Sequence, residues 1–182
     1  GIEVGQLLVQ NPNIKAVGFT GSHAGGRALY DLAAKREEPI PVFAEMGSVN
    51  PVVILPKALQ NRAKEIAKTY SGSITLGTGQ FCTNPGLILG IKSDGLNNFI
   101  ETLAEEIVKI EPSVMLHPNI TGAYEKNKAT ALSQKGIKVL ADYETEVKPN
   151  YVRQVVTTVE GNTFLNNTTL HHEVFGPYSI VV

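Results

Sequence analysis

Residues 14–35 read IKAVGFTGSHAGGRALYDLAAK. Ile14–Phe19 is short, apolar and partly β-branched, which suits a buried parallel strand. Thr20–Gly26 is a glycine-rich turn, and Arg27–Lys35 is rich in good helix formers. A strand, a turn of small residues and a helix start present free backbone N–H groups to an anion. The same arrangement also occurs in α/β proteins as a plain connection. These glycines fall short of the full dinucleotide fingerprint, so the turn is open to either reading at this point.

Working outward, Gly5–Val9 reads as the end of an amphipathic helix, stopped by Asn11-Pro12-Asn13. Pro39–Ala44 is expected to be a second strand, ending at Glu45-Met46-Gly47, and Val52–Leu55 a third, after the turn Ser48–Pro51. A helix is expected from Ala58 to about Gly77, with Ala63, Ile66, Ala67, Tyr70 and Ile74 on one face. Leu87–Ile91 follows as a strand. Asp94-Gly95 then caps a helix that is apolar along Phe99, Leu103, Ile107 and Ile110. A polar helix over Thr121–Gly136 precedes strands at Ile137–Leu140, Val152–Val159 and Tyr178–Val182, with a charged surface loop over Glu144–Asn150. Strands alternating with helices indicate the α/β class with a largely parallel sheet.

The 182 residues are 42% hydrophobic and 18% charged, enough to bury a core and not the balance of a disordered chain. A net charge of -1 gives no reason to expect a nucleic-acid or membrane-surface partner, since those need a basic face. No apolar run approaches the ~18 residues that span a bilayer, and no basic-then-apolar leader opens the chain. The single cysteine forms no internal disulfide, which fits a reducing, cytoplasmic setting and makes the sequons around Asn166–Thr169 chance matches. The chain starts without methionine and ends on the apolar run Ile180–Val182, so it reads as a piece of a longer protein.

That cysteine, Cys82, sits in the small-residue run Ser73–Gly86, SITLGTGQFCTNPG. A lone thiol is either a small buried hydrophobe or a nucleophile tuned by its surroundings. Glu45, at a strand end, is either a solvated carboxylate or part of a site. His171 and His172 adjoin Glu173, but neighbours on a strand point to opposite faces and chelate poorly, so no metal is expected. His23 and His117 read as surface or turn histidines. Phe81 and Thr83 either line a substrate pocket or pack the loop.

FTGSHAGG (Phe19–Gly26), FAEMGSVNP (Phe43–Pro51), GQFC (Gly79–Cys82) and EVFGP (Glu173–Pro177) occur in this order along the chain. Together they resemble the NAD(P)-dependent aldehyde dehydrogenase superfamily. The GQFCTNPG form with AEMGSVNP is most similar to the branch of α-ketoglutaric semialdehyde and bacterial fatty-aldehyde dehydrogenases. The resemblance implies residues 1–46 as the end of a Rossmann-like cofactor domain and 47–182 as most of an α/β catalytic domain.

It further implies aldehyde oxidation with Cys82 as nucleophile and Glu45 as general base. Gly21, Ser22 and Gly26 would then meet the cofactor's pyrophosphate, Glu173 the nicotinamide ribose, and Phe175 the nicotinamide ring. The cofactor the resemblance implies is NADP or NAD. The substrate is a small aldehyde, α-ketoglutaric semialdehyde in the first instance, with a fatty aldehyde as the alternative, and the parent protein is expected to be a homo-oligomer. A cofactor-independent cysteine hydrolase or acyltransferase would explain Cys82 but leave FTGS and EVFGP without a role. The family's second oxyanion donor, an upstream asparagine, is not among these residues. Losing such a donor typically costs about 2.7–4 kcal/mol. The first strands of the implied nucleotide domain are also not among these residues, and a hydride acceptor binds poorly to half a Rossmann-like sheet, so the 182 residues alone are expected to show no dehydrogenase activity.

Overall fold

A computed structural model describes residues 1–141 and 146–182. The chain divides into two compact units, Gly1–Gly47 and Ser48–Val182.

In the first unit, α1 (Ile2–Gln10), β1 (Val17–Gly21), α2 (His23–Ala34) and β2 (Val42–Met46) follow one another. β1 and β2 pair in parallel from Val17↔Val42 to Gly21↔Met46. Val9, Ala33 and Ile40 form the buried centre, with Leu29, Leu32 and Val42 against them. Arg36 donates to the carbonyls of Val9 (2.8 Å) and Ile14 (3.0 Å), tying the end of α1 to the segment that leads into β1.

Both strands lie two to three residues later than their apolar runs suggest. Pro39 and Pro41 have no N–H to give a ladder, so regular pairing begins at Val42. Helix α2 starts earlier than expected, at His23, because Ser22 Oγ accepts from the Gly25 N–H (3.2 Å) and caps it. Gly25 and Gly26 are thereby helical. A Cβ on Gly26 would collide with the Met46 side chain, so that glycine lets α2 pack closely on β2.

The second unit is built on a five-stranded sheet in the order β3 (Pro51–Ile54), β4 (Leu87–Gly90), β9 (Tyr178–Val181), β8 (Val155–Thr158), β6 (Lys138–Ala141). All neighbours are parallel except β6 against β8. On one face α3 (Pro56–Thr75) and α4 (Asp94–Ile107) contribute Leu59, Ala67, Ile74, Phe99, Leu103 and Ile107 to a core closed by Ile88, Val156 and Val181. A second core joins Tyr124 and Ala131 of α5 (Pro118–Leu132) to Leu87, Val155, Tyr178 and Ile180. Alternation along β8 and β9 sends neighbouring side chains to the two cores, as in a sheet covered on both sides.

Several local expectations change. Ser93, not Asp94, caps α4, with its Oγ accepting from Leu96 N–H at 3.2 Å, and Ile110 lies past the helix end. The expected strand over 152–159 is broken into β7 (Tyr151–Val152), which pairs with β5 (Ser113–Val114), and β8. Between them the buried Gln154 donates to the carbonyls of Ile107 (2.7 Å) and Ile110, tying this break in the strand to the end of α4. A short helix, α6 (Gly161–Asn166), and a helical turn at Thr168–His171 precede β9. Of the charged loop expected over 144–150, Glu144 and Thr145 lie outside the described residues. Among the described residues no helix is long and apolar enough to cross a membrane.

The tightest constraint joins two loops: a Cβ on Gly79, whose φ is +65°, would overlap the Gly176 carbonyl and Pro177 nitrogen. Gly79→Ala is therefore expected to cost about 3 kcal/mol, because neither backbone can retreat. Gly72→Ala, on the exposed side of α3 with open space around it, should instead stabilise by about 0.5–1 kcal/mol. Chemical denaturation of both variants checks the contrast, and equal midpoints would refute the packing argument.

Candidate active site

Helix α3 delivers the chain into a tight turn, Leu76–Gly79, in which Gly77, Thr78 and Gly79 all have left-handed φ between 54° and 65°. Thr78 is not a glycine, so its conformation needs support. Its hydroxyl donates to the Val114 carbonyl (2.9 Å). Gln80 holds the turn from the other side: its Nε2 donates to the Gly77 carbonyl (3.0 Å) and its Oε1 accepts from the Leu116 N–H (2.9 Å).

Beyond this braced turn Phe81, Cys82 and Thr83 are exposed, while Pro85 is buried. The exit is fixed as firmly as the entrance. Asn84 N–H donates to the Phe81 carbonyl (3.1 Å), and Gly86 N–H reaches the carbonyls of Asn84 (2.9 Å) and Val49 (3.0 Å). Ser179 Oγ donates to the Pro85 carbonyl (2.7 Å). The Asn50 side-chain amide donates to the carbonyls of Cys82 and Asn84 (3.3 Å for the latter). Cys82 is thus an exposed thiol on a loop whose backbone is tied on both sides.

The Glu173–Pro177 segment packs beside that loop. Asn84 Nδ2 donates to the Gly176 carbonyl (2.8 Å), and Gly176 in turn rests against the ring of the buried Tyr124. Tyr124 is anchored by its hydroxyl, which donates to the Arg153 carbonyl (2.6 Å). Ser48, Phe81, Asn84, His172, Glu173 and Phe175 line the groove between the segments. Glu173 is half-buried and its Oε1 accepts from the Ser48 N–H (3.1 Å). Burial raises its carboxyl above the ordinary value, and the Ser48 N–H draws it back only in part. Asn84 Oδ1 is buried with no hydrogen-bond partner.

In the first unit, Gly21 ends β1, Ser22 caps α2 and Gly26 lies in its first turn. The helix leaves its first N–H groups without intrahelical acceptors, apart from that of Gly25, which Ser22 takes. Glu45 is exposed on β2, one residue before the strand's end and opposite Thr20.

The sequence model described as aldehyde dehydrogenase family matches residues 1–182. The chain belongs to the aldehyde dehydrogenase family. It is 40% identical to the alpha-ketoglutaric semialdehyde dehydrogenase of Acinetobacter baylyi, an alignment covering 100% of this chain and 35% of that relative. Identity to alpha-ketoglutaric semialdehyde dehydrogenase 2 of Azospirillum brasilense is 41%, with the same coverage of 100% and 35%. The chain therefore spans about a third of the length of these curated relatives. Among solved structures, the aldehyde dehydrogenase KauB from Pseudomonas aeruginosa shares the fold: TM-score 0.82 at 18% identity, covering 98% of this chain and 37% of that one.

Within this aldehyde dehydrogenase fold the second unit brings Glu173 and Phe175 to one groove with Phe81, the neighbour of Cys82, whereas Thr83 is not part of its lining. His171 and His172 do not lie on a strand: His171 closes a helical turn, its Nε2 bonds the Phe164 carbonyl (2.8 Å), and its ring packs at a tilt against Phe164. Among the described residues no group of three or more His, Cys, Asp or Glu is placed to hold a metal ion. His117 is an exposed helix cap, its Nδ1 accepting from Asn119 N–H (3.1 Å). Sequence reasoning missed Asn50 and Asn84 as loop supports. Their signal was present, since Asn tolerates φ > 0 and carries an amide that mimics a backbone donor, and Asn50 has φ of 41°.

The raised Glu173 carboxyl has a stability consequence of definite sign. A group that binds its proton more tightly when folded favours the folded state fully below its ordinary value of 4.5 and loses that advantage as pH rises through the raised folded value. Glu173→Gln keeps the acceptor for Ser48 and removes the buried charge. Its melting temperature relative to the parent is expected to be higher at pH 7–8 and to converge on the parent toward pH 4. A difference that does not vary over that range would contradict the assignment.

Proposed function

We propose that the complete protein carrying these residues oxidises an aldehyde to a carboxylic acid with a nicotinamide cofactor, and that its substrate is α-ketoglutaric semialdehyde. The observation that carries the reading is 40–41% identity, over the whole chain, to two relatives named for that aldehyde, in a sequence that presents its sole cysteine on a braced, exposed loop.

Cys82, as thiolate, attacks the aldehyde carbon, forming a C–S bond and a tetrahedral adduct whose oxygen carries the charge. The Cys82 backbone N–H supports that oxygen. A nicotinamide cofactor, when bound, would supply the acceptor for a hydride from the adduct carbon; once that hydride has left, Cys82 carries a thioester. Glu45 takes a proton from water, the hydroxide adds to the thioester, the C–S bond breaks, and the acid and thiolate are released.

The residues present fit such a cofactor. The start of α2, whose first N–H groups lack intrahelical acceptors and which Gly26 lets pack closely on β2, suits a pyrophosphate. The half-buried Glu173 carboxylate and the unpartnered Oδ1 of Asn84 are two acceptors at one groove, suited to ribose hydroxyls, and Phe175 adds an aromatic surface there. Gly21, Ser22, Gly26, Glu173 and Phe175 are accordingly assigned to cofactor binding. Either NAD or NADP satisfies these contacts.

In the complete protein Cys82→Ala should abolish oxidation. Glu45→Gln should leave a stoichiometric burst of reduced nicotinamide while slowing steady turnover by about 10²–10⁴. Equal steady-state rates in Glu45→Gln and parent would overturn the base assignment. A panel of aldehydes with both cofactors tests the substrate: the highest kcat/KM is expected for the short oxo-acid aldehyde, and preference for a long aliphatic aldehyde would replace it.

A further inference from the structure

We propose that Asn50 is a positioning residue for Cys82, acting together with Asn84 as an amide clamp that fixes the cysteine loop against the Glu173–Pro177 segment. The inference rests on the reading of Cys82 as nucleophile and adds to it a residue of the FAEMGSVNP stretch to which no role has been assigned.

Both neighbours of the Asn50 side chain, the carbonyls of Cys82 and Asn84, are acceptors, so only the NH₂ end of the amide can face them. Those carbonyls bracket the two peptide planes that follow the nucleophile. With the Cys82 carbonyl held, the Cys82–Thr83 peptide plane is fixed, and with it the direction in which the Cα–Cβ bond carries the sulfur. Asn50 itself stands on firm ground, immediately before Pro51, which pairs with Leu87 at the start of β3 and β4. The neighbouring Val49 carbonyl holds Gly86 N–H (3.0 Å), so the far end of the loop returns to the same base.

Asn84 extends the clamp. While its carbonyl accepts from Asn50, its Nδ2 donates to the Gly176 carbonyl (2.8 Å), one residue from Phe175 and three from Glu173. One amide thus sets the cysteine loop on the sheet and the next sets the Glu173 segment on the loop. Asparagine suits position 50 twice over, since its φ of 41° lies where asparagine and glycine are tolerated and branched residues are strained.

This double fitness supplies the test. Asn50→Gly accepts the same φ but removes the amide, and Asn50→Ser leaves a short hydroxyl in place of the amide. In the complete protein, Asn50→Gly is expected to lower the hydride-burst rate constant and kcat about tenfold or more, with KM for aldehyde and cofactor within about twofold, because misplacement of a reacting group by about 1 Å can cost 10²-fold. Asn50→Ser should fall between Asn50→Gly and the parent. Separately, the rate at which iodoacetamide alkylates Cys82, followed by mass of its peptide at pH 7.5, should change about threefold or more in Asn50→Gly. Alkylation needs neither aldehyde nor cofactor, so it reports on Asn50 even if the parent proves not to oxidise aldehydes. Burst and alkylation rates within about twofold of the parent in a folded Asn50→Gly would overturn the proposal. Should that variant fail to fold, parent-like rates in Asn50→Ser would do the same.

Discussion

Two backbones touch where Gly79 and Gly176 meet, and the geometry of the second unit follows from that contact. Any side chain at Gly79 would occupy the space of the opposing carbonyl, so the two loops approach as closely as peptide groups allow. Gly176 is pressed from its other side by Tyr124, which is 1% exposed and belongs to the core under β9. The chain from α5 through Gly176 to Gly79 is therefore a stack with no slack, and close-packed interiors transmit position rather than absorb it. The cysteine loop inherits its place from a helix core on the far side of the Glu173–Pro177 segment.

Close approach of backbones raises a second requirement, since each buried peptide group needs a partner. The loops meet it with side chains rather than with a ladder. Thr78, Gln80, Asn50, Asn84 and Ser179 each bond a carbonyl, at Val114, Gly77, Cys82 and Asn84, Gly176, and Pro85 respectively. Such bonds are individually worth only about 0.5–1.5 kcal/mol, but each fixes the direction of a peptide plane. The outcome is an irregular segment with the positional definition of a strand, ending in an exposed thiol.

The alternation of strands and helices, and the two apolar faces of α3 and α4, were legible because they repeat at periods of two and 3.6 residues. Ala63, Ala67, Ile74, Phe99, Leu103 and Ile107 are buried as that spacing requires. Boundaries were less legible where one side chain outweighs the pattern: Ser22 starts α2 four residues early, Ser93 displaces Asp94 as cap, and the buried Gln154 interrupts the run expected as one strand. At the candidate site the motif residues were legible as residue types, but the contacts that orient them were not. Asn50 and Glu173 reach partners 32 and 125 residues away in sequence, Cys82 and Ser48, and no local periodicity encodes such pairs. The positive φ at Thr78 was hidden for the same reason, since its support comes from Val114.

The two units solve the problem of presenting polar groups in opposite ways. In the first, donors are offered by a helix start whose geometry is local: Ser22 Oγ occupies the Gly25 N–H, and the preceding amides have no acceptor within the helix. Substituting that cap weakens the helix start but disturbs few distant contacts. In the second unit the presented groups, Cys82 and Glu173, hang on long-range bonds that cross between β3, the cysteine loop and the segment before β9. An exposed thiol gains little from burial, so its orientation has to come from its backbone. The left-handed turn before it and the amides after it supply that orientation. Strain is thereby concentrated at Gly77–Gly79, where glycine relieves most of it and Thr78 is held by a bond to another element.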